Sequence, residues 1–586
     1  MNVNSFYGAR TRGISRHIIS TTVPDDGNIS DIGDVSDDDQ SDDSDGDTLY
    51  HLADSDGSSG SESDVADTDS EDNDQMCDDW TEVCSSSGQP PPLARGSGPF
   101  IVLAPQASPI DFFNLLFPQS LWSSLVTETN RYAQSKPSHQ EDTNEAEMKA
   151  FIGITLAMAI HKLPQLKNYW SEHWVLGVPQ YRQIFPRNRY CYLFSNIHLV
   201  DNAQCLPRDD PLHDRLFKVR PLISKLNETF GEHYSPSRNL SVDESMVRFK
   251  GRSMLKQYLP MKPIKRGFKV WCLSCSCCGY LLQFQVYTGK EADAEQQNIG
   301  LAHRVVTDLL CPLYTKCNYV VYMDNFFTSL PLFHELKQNG IFACGTYRTN
   351  RTGFPPELSN ADGQVKQMKR GDTLFRHKSD TTAVVWMDRK PVHVVSNFHP
   401  PTMTVVRRKN RDGTISTVSC PDIIDSYNRH MGGVDFTDQL KVYYGYNRKS
   451  KRWWLRLFFH FIDIAVVNAY ILYLHCYRAS FHPPLKYKPK KQLAFRCELV
   501  DDLVNHYTCR KLKGPVTTPV VSLTPAGHKI VDMRSVGVRP GRCEFCTVGP
   551  YKTKKRKETQ FGCPKCQKRL CPAKCWAKYH NKLQPQ

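Results

Sequence analysis

In "YNRHMGGVDFTDQL" (427–440), Asp435 and Asp438 stand three residues apart just behind a Gly-Gly pair. On a helix that spacing stacks two carboxylates on one face, where they repel unless a cation lies between them or water screens both. Two more aspartates stand where strands should end: Asp243 in "LSVDESM", after the alternating Leu240 and Val242, and Asp324 in "YVVYMDNFFTS". Each alone would serve as a turn or helix-capping residue. As a set, two strand-end aspartates followed by a helical Asp-x-x-Asp have the pattern of a hard-cation site. Carboxylates gathered from distant segments suit Mg2+ or Mn2+ and leave coordination positions for phosphate and water. Two such ions about 3.5–4 Å apart activate an attacking hydroxyl and stabilise the leaving oxygen in phosphodiester cleavage or strand transfer. Asp243, Asp324, Asp435 and Asp438 are therefore the candidate divalent-metal ligands.

A second ligand set closes the chain. Cys543-x2-Cys546, sixteen residues, Cys563-x2-Cys566, then Cys571, Cys575 and His580 carry paired ligands at zinc spacing, and six cysteines fall in the last 44 residues. The first four alone meet the two-CxxC rule for a structural Zn2+. Seven ligands complete one tetrahedral site and leave three over, so the pairing is open and an eighth ligand is not identifiable from the spacing. "CLSCSCCGY" (272–280) is different: its four cysteines have no nearby histidine cluster and are expected to pack in a strand.

Two basic stretches lie close to the aspartates in sequence. "YNRKSKRWWLRL" (446–457) interleaves Arg448, Lys449, Lys451 and Arg452 with Trp453 and Trp454, and "KGRSMLKQYLPMKPIKRGFK" (250–269) holds Lys250, Arg252, Lys262, Lys265 and Arg266. Cations that neutralise phosphate beside aromatic rings that stack on bases are the chemistry of a DNA groove. The alternative for the tryptophans is a core position. The overall charge agrees with a nucleic-acid partner. The net +13 hides a tail without Lys or Arg from His17 to Leu93 that contains 23 acidic residues, leaving 38 acidic against all 74 basic residues, a net +36, elsewhere.

The opening "MNVNSFYGARTRGISRHIIS" carries charged and polar residues where a secretory signal needs an apolar run. The stretch 455–477 has the length of a bilayer span but is interrupted by Arg456, His460, Asp463 and Asn468, so a buried or amphipathic helix in a soluble protein is expected. Scattered cysteines suit a reducing compartment. "KTKKRK" (552–557) and "KYKPKK" (486–491) read as nuclear import signals or DNA-contacting loops, and both uses favour the nucleus.

The elements needed to position the aspartates follow from the pattern. Residues 1–100 are too poor in apolar side chains to fold and read as a disordered acidic tail. Residues 101–238 are helical, with Asn144 and Glu147 in capping-box positions. Residues 239–346 carry β-branched and aromatic runs with helices between them, the α/β organisation of a mixed sheet. Residues 347–419 read as an insertion of short strands and turns, 420–445 as helix with the Asp-x-x-Asp, 446–515 as a second helical part, 516–540 as a linker and 541–586 as the cysteine-rich zinc-binding domain.

"SVDESMVRFKGRSMLKQYLPMKPIKRGFKVW" (241–271), "VVYMDNFFTS" (320–329) and "YNRHMGGVDFTDQL" resemble the characteristic blocks of piggyBac-type transposases and the host proteins derived from them. The likeness runs from "TETNRYA" and "NYWSEHW" through "RWWLRLFFHFIDIAVVNAYILY" to the terminal cysteines. It implies an RNase H-like catalytic core of DDE/D type (239–346 and 420–445) with an insertion, embraced by a split helical dimerisation and DNA-binding domain (101–238 and 446–515). By the same resemblance Asp243, Asp324 and Asp435 are the catalytic triad, Asp438 is the supporting fourth carboxylate, and the zinc domain binds terminal DNA repeats.

The activity implied is cut-and-paste excision and integration of double-stranded DNA at TTAA, through hairpin ends, by a homodimer using Mg2+ or Mn2+. Intact aspartates favour an active enzyme. The alternative is a domesticated, non-catalytic DNA-binding regulator that keeps the fold. A zinc-dependent module of ubiquitin-ligase type leaves the four aspartates and the basic body without a role.

Overall fold

A computed structural model of the chain describes residues 80–82, 89–104, 107–289, 300–359, 363–409, 413–479, 488–509, 528, 530–548, 558–572 and 574–581. The expected acidic tail lies outside the described residues except at 80–82 and 89–100, and so do 552–557 and part of 486–491. The chain forms two compact units, Met1–Cys509 and Arg510–Gln586.

A nine-stranded mixed sheet organises the larger unit. Asn239–Arg248 pairs antiparallel with Arg266–Cys275, and Leu281–Val286 continues that meander on the far side. On its other flank Asn239–Arg248 pairs parallel with Val320–Met323, which pairs parallel with Phe342–Thr346. Parallel neighbours need crossover connections, and the helices Leu301–Tyr314 and Leu330–Gln338 occupy those positions in the chain. Pro391–Ser396, Thr381–Met387 and Thr373–Lys378 then extend the sheet antiparallel. The stretch 347–419, expected as an insertion, thus contributes three strands to this sheet and a separate hairpin of Met403–Lys409 with Ile415–Pro421.

Alternation explains why the sheet is covered on both sides. Along Thr381–Met387, Ala383 and Val385 join one apolar cluster while Val384 and Trp386 join another with Val320 and Tyr322. At the outer edge, Thr373–Lys378 receives a piece of the N-terminal segment. Thr81 and His377 exchange both backbone hydrogen bonds at 2.8 Å, the Trp80 indole donates to the Gly353 carbonyl at 2.8 Å, and Glu82 pairs with Arg376 at 3.2 Å.

The helix Glu145–Ile160 begins as its sequence indicates: the Asn144 side chain accepts from the Glu147 amide at 2.9 Å. Glu147 does not return the second half of a capping box. It is buried and paired with Arg189 at 2.6 Å, because a buried carboxylate needs a cation more than a helix end needs a second cap. Gly153 on this helix lets Gln492–Val504 come close, since a Cβ there would meet Leu503, Val504 and the Val500 carbonyl at 3.1–3.3 Å.

Trp453–Ala479 is the one helix among the described residues long and apolar enough to cross a membrane, and 89% of its apolar window is buried inside the protein. Its polar residues bind the elements around it. Arg456 donates to the Arg248 carbonyl at 2.9 Å. Asp463 accepts from the Tyr446 amide at 2.7 Å and from Arg496 at 3.2 Å. Asn468 exchanges two hydrogen bonds with the backbone of Leu281. Arg456, Asp463 and Asn468 therefore each pin a neighbouring segment to it, which offsets the cost of burying that group.

The smaller unit is built from short strands, Val531–Asp532, Phe561–Cys563 and Lys568–Arg569 in one sheet and Gly541–Arg542 with Glu558–Thr559 in another, plus the helix Lys574–Asn581. Its first strand falls inside 516–540, the stretch expected as a linker.

Candidate functional site

The parallel register runs from Asn239↔Val320 to Val242↔Met323, so the next positions, Asp243 and Asp324, come side by side where the parallel pairing stops. Asp324 follows the end of its strand as expected, but Asp243 lies within Asn239–Arg248, which stays paired with Arg266–Cys275 up to Arg248. Carboxylate oxygens of Asp243, Glu244 and Asp324 all lie within 4.8 Å of one another. The Glu244 amide donates to Asp243 Oδ1 at 2.8 Å and the Phe326 amide to Asp324 Oδ1 at 2.9 Å, which fixes both side chains. Burial, reinforced by neighbouring carboxylates, raises the affinity of Asp243 well above the usual carboxylate range for a proton and raises that of Asp324 too. Such mutual repulsion in a buried cluster is relieved by a cation, and hard oxygen donors gathered in this way fit a divalent one.

One cation of the chain already faces this cluster. Lys262 Nζ lies 2.7 Å from Glu244 Oε1. Burial works against ionisation of Glu244, but Lys262 outweighs it and holds that carboxyl below its ordinary range. Glu244 escapes a reading by alternation, which sends neighbours on a strand to opposite faces.

The opening motif forms the helix Gly433–Val442. A Cβ on Gly433 would fall 2.3 Å from Ser241 Oγ and 3.1 Å from Ser276 Cα, so only glycine lets the helix start this close to the sheet. Thr437 Oγ1 donates to the Gly279 carbonyl at 2.6 Å. Asp435 stands outside the three-carboxylate cluster, on the exposed side of the helix, and its charge raises the pKa of Asp243. Asp438 accepts from Ser245 Oγ at 2.9 Å and from Lys441 Nζ at 2.6 Å. Ser245 shares a strand face with Asp243, two residues on. The structure thus brings Asp243 and Asp324 together with Glu244, and links Asp438 to the same strand through Ser245.

The basic residues divide. Lys250, Arg252 and Lys265 are exposed on the connection before Arg266–Cys275, Arg266 is exposed at the start of that strand, and Lys449 and Lys451 are exposed before the long helix. Arg448 donates to the Leu163 carbonyl at 3.1 Å and lies over the Tyr169 ring. Arg452, expected at a DNA surface, is turned inward: it is 7% exposed and donates to the carbonyls of Ser195 and Phe194 at the end of the helix Arg187–Asn196. Trp453 is half-buried edge-on to Phe268, and Trp454 is buried. The inward turn of Arg452 satisfies carbonyls that a helix end leaves unpaired.

In the smaller unit two tetrads interleave. Cys543, Cys546, Cys571 and Cys575 form one, and His528, Cys563, Cys566 and His580 form the other, each with its donor atoms within 4.8 Å. His528 Nδ1 lies 3.2 Å from Cys566 Sγ, and His580 Nε2 lies 3.5 Å from it. His580 Nδ1 meets the Trp576 carbonyl at 3.0 Å, the contact that directs its other nitrogen to the sulfurs. Thiolate and imidazole sets of four fit structural Zn2+. The two CxxC pairs therefore go to different tetrads, and His528 is the eighth donor that spacing left unidentified. It lies well before Cys543, with no CxxC-like neighbour to mark it.

A transposase family model described as Transposase IS4 matches residues 108–470. The human "PiggyBac transposable element-derived protein 3" is 29% identical over 489 residues, covering 81% of this chain and 76% of that protein. The human "PiggyBac transposable element-derived protein 5" is 25% identical over 401 residues, covering 66% and 74%. The cryo-EM structure of a piggyBac transposase synaptic complex with hairpin DNA superposes with a TM-score of 0.62 at 23% identity, covering 81% of this chain and 98% of that one. That last likeness is one of fold.

Proposed function

Since the chain belongs to the piggyBac transposase family, we propose that it is a DNA transposase that excises and integrates double-stranded DNA at TTAA through hairpin ends. The observation that carries this reading is the parallel register that delivers Asp243 beside Asp324 while Gly433 lets the Asp435 helix close on the same sheet. The strand order, an antiparallel meander followed by two parallel strands, supports an RNase H-like core.

Asp243, Asp324 and Asp435 would hold Mg2+ or Mn2+, with Glu244 beside them. Bound there, such ions would supply activation of the attacking hydroxyl and stabilisation of the leaving oxygen. The chain's own residues do the rest. Ser245 and Lys441 orient Asp438. Lys262 neutralises the carboxylates until DNA and metal arrive, and its ammonium then lies within reach of phosphate. Lys250, Arg252, Lys265, Arg266, Lys449 and Lys451 hold the backbone of the duplex. The tetrads Cys543, Cys546, Cys571, Cys575 and His528, Cys563, Cys566, His580 would each hold a Zn2+ that supplies folding energy to the C-terminal unit, and that unit would read the terminal repeats. A homodimer working in the nucleus belongs to the same proposal.

The test is nicking of a repeat-TTAA duplex in Mg2+ by the parent and by Asp324→Asn and Asp435→Asn, with gel-shift binding on the same proteins. Cleavage by the parent, lost by orders of magnitude in both variants while binding persists, is the expected result. A second reading, a DNA-binding regulator without catalysis, is favoured by relatives whose names mark them as derived from transposable elements. Binding without cleavage by the parent would select it.

A further inference from the structure

The connection 249–265 leaves the strand that carries Asp243 and returns into Arg266–Cys275. It includes the ninth strand of the sheet, Gln257–Tyr258, which pairs antiparallel with the start of Arg266–Cys275, and its shape is fixed from within. Leu255 is buried, and Phe249 stacks on Phe268 with ring centroids 4.9 Å apart. The Leu259 amide donates to the Lys265 carbonyl at 2.8 Å, and Lys256 Nζ donates to the Gly251 carbonyl at 2.9 Å. On this rigid frame three large apolar side chains face outward: Met254 is 71% exposed, Tyr258 57% and Met261 84%. Met261 is among the most exposed large apolar side chains of the described residues.

The surroundings select the partner. Lys250, Arg252 and Lys265 are exposed on the same connection and Arg266 at the start of the next strand, with the Arg266 guanidinium 4.8 Å above the Tyr258 ring. Met261 directly precedes Lys262, whose ammonium is 2.7 Å from Glu244 in the carboxylate cluster. Met261 is therefore one residue from a side chain that reaches the site, on a connection that also carries exposed cations. Duplex DNA matches both features, because phosphates take the cations while an unbranched, polarisable side chain wedges between base steps.

We propose that Met261, supported by Met254 and Tyr258 on the same connection, enters the base stack beside the scissile phosphate and holds open the step that must unstack for a hairpin to close. The inference rests on the transposase reading and assigns Met261 a positioning role. An apolar wedge replaces the stacking that the separated bases lose, so the distorted end persists long enough for its two strands to be joined.

The experiment uses the full chain and a TTAA duplex carrying 2-aminopurine at each adenine in turn, with Ca2+ replacing Mg2+ so that the duplex stays intact. Fluorescence reports unstacking, and a gel shift reports binding. The parent is expected to raise the fluorescence at one position. Met261→Ser should lose that rise while binding as the parent does, and Met261→Leu should restore it. Binding of anionic vesicles by the same proteins tests a membrane as the occupant instead. An unchanged rise in Met261→Ser, binding by the parent with no rise at any position, or Met261-dependent vesicle binding without a rise would overturn the wedge and leave the transposase reading standing. A parent that binds no duplex would overturn both.

Discussion

Ser245 Oγ lies 2.9 Å from each carboxylate oxygen of Asp438, so the strand that ends the approach to the site also holds the second aspartate of the Asp-x-x-Asp pair. Within that motif Lys441 pairs with Asp438, while the charge of Asp435 acts on Asp243. A hydrogen bond to a charged group contributes about 1.5–3 kcal/mol. Ser245→Ala is therefore expected to lower the cleavage rate about tenfold or more, with DNA affinity and folding unchanged. Single-turnover cleavage beside gel-shift binding measures it, and equal rates would mean that Asp438 needs no orientation from Ser245.

Lys262 is expected to compete with divalent ions. Its own burial disfavours the ammonium, but Asp243 and Glu244 favour it more and raise its pKa. Lys262→Met removes that rival, so adding Mn2+ should raise the melting temperature of the variant more than that of the parent. Thermal scans across a Mn2+ series check this. Equal shifts would place Lys262 outside the metal's way.

The zinc tetrads make a stoichiometric prediction. Purified protein is expected to carry two zinc ions, one for each tetrad. His528→Ala should lose zinc from the tetrad it shares with Cys563, Cys566 and His580, and the C-terminal unit should unfold more readily, since metal binding is folding energy in so small a unit. Metal analysis and a melting curve decide it: the transition of the larger unit should not move. Full zinc content in His528→Ala would remove it from the ligand set.

His399 sets a pH limit on the larger unit. Burial depresses its pKa to about 4, with Asp422 opposing and His430 adding to the effect. The half-buried ring packs against Ser396, whose hydroxyl meets Nδ1 at 2.9 Å. An unfolded chain takes up the proton below about pH 6.5, the folded one only near 4. The stabilisation is therefore complete above pH 6.5 and is lost as the pH falls towards 4, by about 3 kcal/mol at most. Urea midpoints at pH 7 and pH 4.5 should fall further for the parent than for His399→Asn. Parallel losses would assign the acid sensitivity to other groups.

What could be read without coordinates had local causes. Asp324 stands where the apolar run Val320–Met323 stops at a polar residue, whereas Asp243, expected at such a stop, lies mid-strand, because its strand goes on pairing with Arg266–Cys275 as far as Arg248. The interrupted apolar run 455–477 was legible as a buried helix because each of its polar residues needs a partner, and lipid supplies none. What could not be read depended on partners far away in the chain. Glu244 belongs to the cluster because Asp243 turns back towards its neighbour's amide. Arg452 looks like a phosphate contact until the carbonyls at the end of a helix more than two hundred residues earlier claim it. His528 lacks any local spacing, and the interleaving of the tetrads is a property of the folded unit, invisible in pairs counted along the sequence.

Trp80, Thr81 and Glu82 lie on the outermost strand of the nine-stranded sheet, where Thr81 pairs with His377. A terminal strand left bare offers unpaired backbone groups to any passing chain. Shortening the protein to begin near residue 95 would thus do more than discard an acidic tail. It would uncover a sticky rim, and the trimmed protein should self-associate as its concentration rises while the complete chain stays dispersed. The three residues act as a hem that keeps one copy of the sheet from being stitched to the next.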